Sequence, residues 1–190
     1  MLIPTAVLVV VLCQPTLRSF LGGMLIACLG EALRMWGVGY SGLTTRSSKV
    51  TAPELVTAGP YAYVRNPLYV GNFITALGFY CIAAGGIGWG MRLLLLAILV
   101  ATYVTVYGLI IPLEEEYLRK TFGEPYLEYL RHVPRVIPRS TPYEDARGTF
   151  RWTAIQRGEI HTLLLFAVIT FIMASRLAAE IGIREVLTRG

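Results

Sequence analysis

Long apolar runs alternate with polar segments, and their lengths set the first expectations. Runs over 68–88, 91–111 and 160–179 each hold about the 20 apolar residues that a helix needs to cross a bilayer. A fourth run, 19–40, is interrupted by Glu31 and Arg34. A charge costs about 2.5–3.5 kcal/mol at the centre of a membrane helix on insertion scales. The i,i+3 spacing, however, puts these two on one face, where they can pair. A structural pair or interfacial snorkelling is one reading, and the lining of a polar cavity is the other. The first run, 2–13, is about 12 residues, or ~18 Å as helix. It stops at Gln14-Pro15-Thr16, where Pro15 blocks easy continuation, so the pattern predicts a helix-break-helix hairpin with the second run.

Two polar segments separate these runs. The first, 41–66, carries Arg46, Lys49 and Arg65. The second, 113–158, carries Arg119, Lys120, Arg131, Arg135, Arg139, Arg147, Arg151 and Arg157. Lys and Arg concentrate on cytoplasmic loops, and five spans with a cytoplasmic N-terminus place both segments on that side. The pattern therefore predicts an all-α, multi-pass integral membrane protein. It has about five transmembrane helices, and a helical cytoplasmic segment covers a pocket. The whole chain, 1–190, reads as a single domain. Its core is 59–138, followed by a cytoplasmic connector over 139–158, with Trp152 as an interface anchor, and an extra C-terminal span over 160–179. That last span is assigned to packing or to a homo-oligomer contact.

Composition strengthens this picture. With 55% apolar residues, a mean hydropathy of +0.58 and 190 residues, the chain is too hydrophobic for an ordinary soluble domain and too short for several. The net charge of +5 does not point to nucleic acid, because carboxylates from Glu114 to Asp145 are interleaved with the basic residues. Cys13, Cys28 and Cys81 lie in apolar segments without metal-ligand spacing, and His132 and His161 are isolated. No metal site is expected.

Chemistry concentrates in two stretches. In "GPYAYVRNPLYVGN", over 59–72, Gly59-Pro60 breaks the chain and Asn66-Pro67 marks a helix start, with Asn66 as N-cap and Pro67 at the first position. A helix N-terminus favours an anion, and Arg65 adjoins it. The plainer reading makes Tyr61, Tyr63 and Tyr69 an aromatic belt, Arg65 a positive-inside anchor and Asn66-Pro67 a cap. The second stretch is "PLEEEYLRKTFGEPYLEYLRHVPRVIP". Pro112 is expected to end or kink the fourth membrane helix. Glu114, Glu115 and Glu116 then concentrate charge near the bilayer, which suggests a polar pocket opposite Arg65. "EEEYLRKTFG" reads as a short helix closed by Gly123, and "EPYLEYLRHVP" as a second helix ending before Pro134. Its Tyr126, Leu127 and Leu130 form a stripe suited to lying on the membrane or covering the pocket.

Together, in this order and with one helical hairpin between them, the two stretches resemble the isoprenylcysteine carboxyl methyltransferase and phospholipid methyltransferase superfamily of integral membrane enzymes. The resemblance covers 59–138. It implies a helical membrane fold that binds S-adenosylmethionine at the cytoplasmic ends of its helices and transfers a methyl group to a lipophilic substrate. By the family pattern, Arg65, Asn66, Pro67 and Tyr69 occupy the Arg-His-Pro-x-Tyr element, Gly71 follows it, and Glu114 and Glu115 form the acidic pair. Val133 to Pro138 forms the tail. The resemblance implies catalytic roles for Glu114, Glu115 and Arg65. Arg65 and the helix start at Asn66 would hold the cofactor's carboxylate, and Glu114 or Glu115 its ammonium or ribose hydroxyls. Tyr61, Tyr126, Tyr129, Pro134, Arg135 and Ile137 would complete the cofactor site. Two positions depart from the pattern. Asn66 replaces a His, and Ile110 stands where prenylcysteine-methylating members carry an Arg. Without that counter-ion a substrate carboxylate is less well served than a phospholipid amine or a thiol. A non-catalytic membrane subunit is the reading from another class.

Overall fold

In this computed structural model, residues 2–42 and 54–189 are described, with side chains from Pro4 to Ile183 in those segments. Arg46 and Lys49 lie outside the described residues. Among the described residues the regular structure is entirely helical: α1 (Leu2–Val11), α2 (Leu17–Ser41), a 3-10 turn (Gly59–Ala62), α3 (Pro67–Ala83), α4 (Trp89–Phe122), α5 (Glu124–His132), α6 (Trp152–Gly158) and α7 (Ile160–Arg189). Three stretches are long and apolar enough to cross a membrane: Leu17–Ser41, Trp89–Phe122 and Ile160–Ile183. Pro67–Ala83 is apolar but shorter.

The helix-break-helix start is present: α1 and α2 are separated at Pro15, and Thr16 and Ser19 exchange backbone and side-chain hydrogen bonds that cap α2. The third run ends earlier than its hydropathy suggests. Helix α3 stops at Ala83, and the glycines that follow form a turn in which the Gln14 carbonyl accepts the Gly86 amide at 2.6 Å.

Pro112 does not end α4. The helix runs on to Phe122, and the residues expected to form a separate short helix are its last turns. A proline inside a helix removes one backbone donor and crowds the carbonyl four residues back. That residue here is Gly108, and helices in apolar surroundings accommodate such a break. The helix ends at Gly123, whose φ of 58° is available to glycine at no steric cost.

The chain divides into two units. The first comprises Met1–Gly30, Phe73–Val106 and Thr162–Gly190. Its core is Val9, Cys13, Ala27, Phe79, Ile82, Ala83 and Met173. Here α2 and α3 approach so closely that a Cβ on Gly23 would meet the Gly78 carbonyl oxygen at 2.6 Å, which only a small residue allows.

The second unit comprises Glu31–Asn72 and Tyr107–His161, and it contains every residue of the candidate site. Segment 139–158 is more than a connector in it. Its backbone bonds to three places: Arg139 N–H to the Tyr63 carbonyl at 3.0 Å and Tyr143 N–H to the Ala62 carbonyl at 2.9 Å, Thr57 and Ala58 N–H to the Arg147 carbonyl, and Arg151 N–H to the Gly39 carbonyl at 2.7 Å. Phe150 lies against Gly39, where a Cβ would come within 2.1 Å of its ring, and Ala154 and Ile155 pack on Val38. Gly59, at φ 63°, turns against the Tyr40 ring. The expected Glu31–Arg34 pair forms at 3.5 Å, and Glu159 adds a shorter contact to Arg34 at 2.6 Å. All three are buried.

Candidate functional site

The 3-10 turn at Gly59–Ala62 and the start of α3 place Arg65 between the end of α4 and the loop after α5. Its amide donates to the Pro134 carbonyl at 2.9 Å, which fixes the backbone. Its guanidinium donates through Nη1 to the Leu130 carbonyl at 3.1 Å and pairs through Nη2 with Glu115 Oε1 at 3.2 Å. Arg135 reaches the same carboxylate, with Nε 3.1 Å from Oε1 and Nη2 on Oε2. One carboxylate thus serves two guanidiniums, and the cluster carries one excess positive charge. Among the described residues, buried Arg65 Nε has no hydrogen-bond partner, an orphan donor of the kind that is costly unless something accepts from it.

Asn66 opens α3 as its sequence suggests, its carbonyl accepting the Val70 amide at 3.1 Å, and Pro67 takes the first helical position. The Asn66 side chain, however, donates to the Arg135 carbonyl at 3.0 Å. This bond ties the start of α3 to the loop that carries Arg135.

Glu114 is adjacent in sequence yet has a different environment. Successive helical residues point about 100° apart, and this turns Glu114 toward α3. Tyr69 donates to its Oε1 at 2.6 Å. Among the described residues no cation pairs with it. The Tyr69 ring lies 4.4 Å from that of Tyr107, centroid to centroid, and the Asn72 amide donates to the Tyr107 hydroxyl at 3.2 Å. Asn72 and Tyr107 are absent from the set read out of the sequence. Tyr107 lies seven residues before Glu114 and so shares its face of α4, which is the signal that finds it. Gly71 is buried in α3 and Glu116 pairs outward with Arg119 and Lys120.

Helix α5 packs inward through Tyr126, Tyr129 and Val133 against Leu55, Leu118, Phe122 and Tyr143. Its inner stripe is therefore centred on Tyr126 and Tyr129 instead of Leu127. Tyr129 donates to the Tyr61 carbonyl at 2.8 Å, tying α5 to the 3-10 turn. Burial pushes the Tyr61 hydroxyl up to about 12; the Ser41 hydrogen bond opposes this and the Glu114 charge adds to it. Burial likewise raises Tyr126 and Tyr129. All three stay neutral hydroxyls at physiological pH. Pro134 is half-buried, whereas Ile137 is 80% exposed and is not gathered with the rest. Among the described residues no group of His, Cys, Asp and Glu is placed to hold a metal ion.

The family described as phospholipid methyltransferase matches residues 17–125, more than half of the chain. The cobalt-zinc-cadmium resistance protein CzcN of Cupriavidus metallidurans is 32% identical over 131 residues, 69% of this chain and 53% of that protein. The protein-S-isoprenylcysteine O-methyltransferase of Schizosaccharomyces pombe is 36% identical over 58% of this chain and 46% of its own length. The methanethiol S-methyltransferase of Crocosphaera subtropica is 34% identical over 55% and 37%. The chain thus spans about half the length of the curated relatives it matches, or less. No solved structure matches it.

Proposed function

The chain belongs to the phospholipid methyltransferase family, and on that premise we propose that it transfers a methyl group from S-adenosylmethionine to a lipophilic acceptor at the cytoplasmic face of a membrane. The observation that carries this reading is the cluster of Arg65 and Arg135 around Glu115. Its excess positive charge and the orphaned Arg65 Nε suit an anionic group, and a carboxylate such as that of the cofactor's methionine end meets both needs. Glu115 holds the two guanidiniums apart and in place. Tyr126, with Tyr129, Tyr61 and the loop at Pro134, supplies aromatic and apolar surface for an adenosine. When bound, S-adenosylmethionine supplies an electrophilic methyl group on a sulfonium.

Ile110, half a turn before Pro112, offers no charge to a substrate carboxylate, which favours amine or thiol acceptors over a prenylcysteine carboxylate. The relatives named for carboxyl O-methylation and for thiol S-methylation bracket that choice. The test is titration of the purified protein in detergent with S-adenosylhomocysteine by calorimetry. Saturable binding is expected, weakened about 10- to 100-fold in Arg65→Ala, the range of a lost hydrogen bond to a charged group.

One observation favours a second reading. Arg65, Asn66 and Tyr129 all make hydrogen bonds within the chain, as they would in a non-catalytic membrane subunit. That reading requires an absence of binding in the same titration.

A further inference from the structure

The two adjacent carboxylates at the end of α4 are not equivalent. Glu115 is held by Arg65 and Arg135, so cations occupy both of its oxygens. Neither oxygen can meet a substrate without displacing a guanidinium. Glu114 is half-buried, and its one hydrogen bond among the described residues comes from the neutral Tyr69 hydroxyl onto Oε1 at 2.6 Å. Among the described residues no cation competes for Oε2. Neighbouring carboxyl groups in unlike surroundings mark a division of labour, and here the division follows from one helical step.

Tyr69 is itself positioned. Its ring rests on Tyr107 at 4.4 Å, and the Tyr107 hydroxyl takes the Asn72 amide. Asn72, Tyr107, Tyr69 and Glu114 thus form one polar line along facing sides of α3 and α4. An acceptor that arrives as a carboxylate has no use for such a group, since it carries no proton to lose and would be repelled. A thiol or an ammonium head must shed a proton before or as it attacks.

We propose that Glu114 is the proton acceptor for a protic nucleophile, a lipophilic thiol or amine, and that Tyr69 positions its carboxylate. This rests on the methyltransferase reading above. In the step, the acceptor's S–H or N–H bond breaks and the proton passes to Glu114 Oε2. The electron pair left on sulfur or nitrogen forms the bond to the methyl carbon, and the pair of the broken carbon–sulfur bond stays with the donor sulfur.

The test uses the full-length protein in detergent with four acceptors. Dodecanethiol and phosphatidylethanolamine must lose a proton. 4-Nitrobenzenethiol and N-acetyl-S-farnesylcysteine are already ionised at neutral pH. Wild type is expected to methylate dodecanethiol or phosphatidylethanolamine. Glu114→Gln should slow that transfer about 10²-fold or more, the range for a lost general base, and Tyr69→Phe about tenfold. Both variants should bind S-adenosylhomocysteine as wild type does, which also shows that they fold. Both should approach the wild-type rate with 4-nitrobenzenethiol, a rescue that a merely structural role would not give.

Equal slowing on all acceptors, or none, overturns the proposal. So does loss of S-adenosylhomocysteine binding in Glu114→Gln, which would assign Glu114 to the cofactor's ammonium. So does a wild-type protein that methylates only the farnesylcysteine, or neither protic acceptor. A wild-type protein that does not bind S-adenosylhomocysteine overturns the methyltransferase reading itself.

Discussion

Two three-residue charge clusters within the second unit are mirror images in sign. In one, Arg34 sits between Glu31 and Glu159; in the other, Glu115 sits between Arg65 and Arg135. Each joins segments far apart in sequence, yet they differ in exposure. Arg34, Glu31 and Glu159 are all nearly inaccessible, whereas Arg135 is 50% exposed on its side-chain surface. The first cluster is closed and holds segment 139–159 to the end of α2. The second has an open edge and an excess of positive charge. The comparison separates an ionic group that fastens the fold from one that is poised to meet an anion.

The largest effect should come from breaking the closed cluster. Arg34→Met removes the cation shared by two buried carboxylates, and removal of one partner from a buried pair costs about 3–5 kcal/mol. Thermal unfolding in detergent should show this as a large fall in midpoint. A midpoint within a degree of wild type would mean that the cluster opens to water. Next comes Arg65→Ala, expected to cost about 1.5–3 kcal/mol in S-adenosylhomocysteine affinity by calorimetry while leaving the unfolding midpoint closer to wild type than Arg34→Met does. If the order of midpoints is reversed, the two clusters have exchanged roles.

Tyr129→Phe removes the hydrogen bond to the Tyr61 carbonyl. About 1 kcal/mol of stability should be lost, visible as a small midpoint shift. Arg135→Ala should matter least for folding, by at most about 1 kcal/mol, because exposed ion pairs are solvated and screened. Added salt should erase its difference from wild type and leave the Arg34→Met defect in place, which unfolding at low and high ionic strength would resolve.

The helices are legible because length and hydropathy mark segments able to cross a membrane, and the two polar stretches are legible as a candidate site because motif and charge converge there. What was hidden has particular causes. Pro112 reads as a helix end since its local cost is visible in sequence, whereas the room above Gly108 is not. Segment 139–158 reads as a connector because its composition is polar. Its hydrogen bonds to Gly39, Ala58, Ala62 and Tyr63 are backbone bonds that leave no trace in side-chain chemistry. Glu159 is hidden by distance along the chain: its side-chain partner, Arg34, lies 125 residues earlier. Asn66 reads as a cap, and only the fold shows its amide donating to the Arg135 carbonyl. The difference between Glu114 and Glu115 is likewise invisible in a run of three identical residues.

The unbroken passage of α4 through Pro112 has a further consequence. At about 1.5 Å per residue its 34 residues extend about 51 Å, and Tyr107, Glu114 and Glu115 are fixed on it by angle as much as by height. The site is therefore addressed by azimuth. An insertion of seven residues before Glu114 would return each carboxylate to within about 20° of its bearing, whereas a single inserted residue would turn them by about 100°. Chain length in this helix is thus constrained by phase and by height together, since seven residues restore the bearing yet move the carboxylates by about 10.5 Å along the axis.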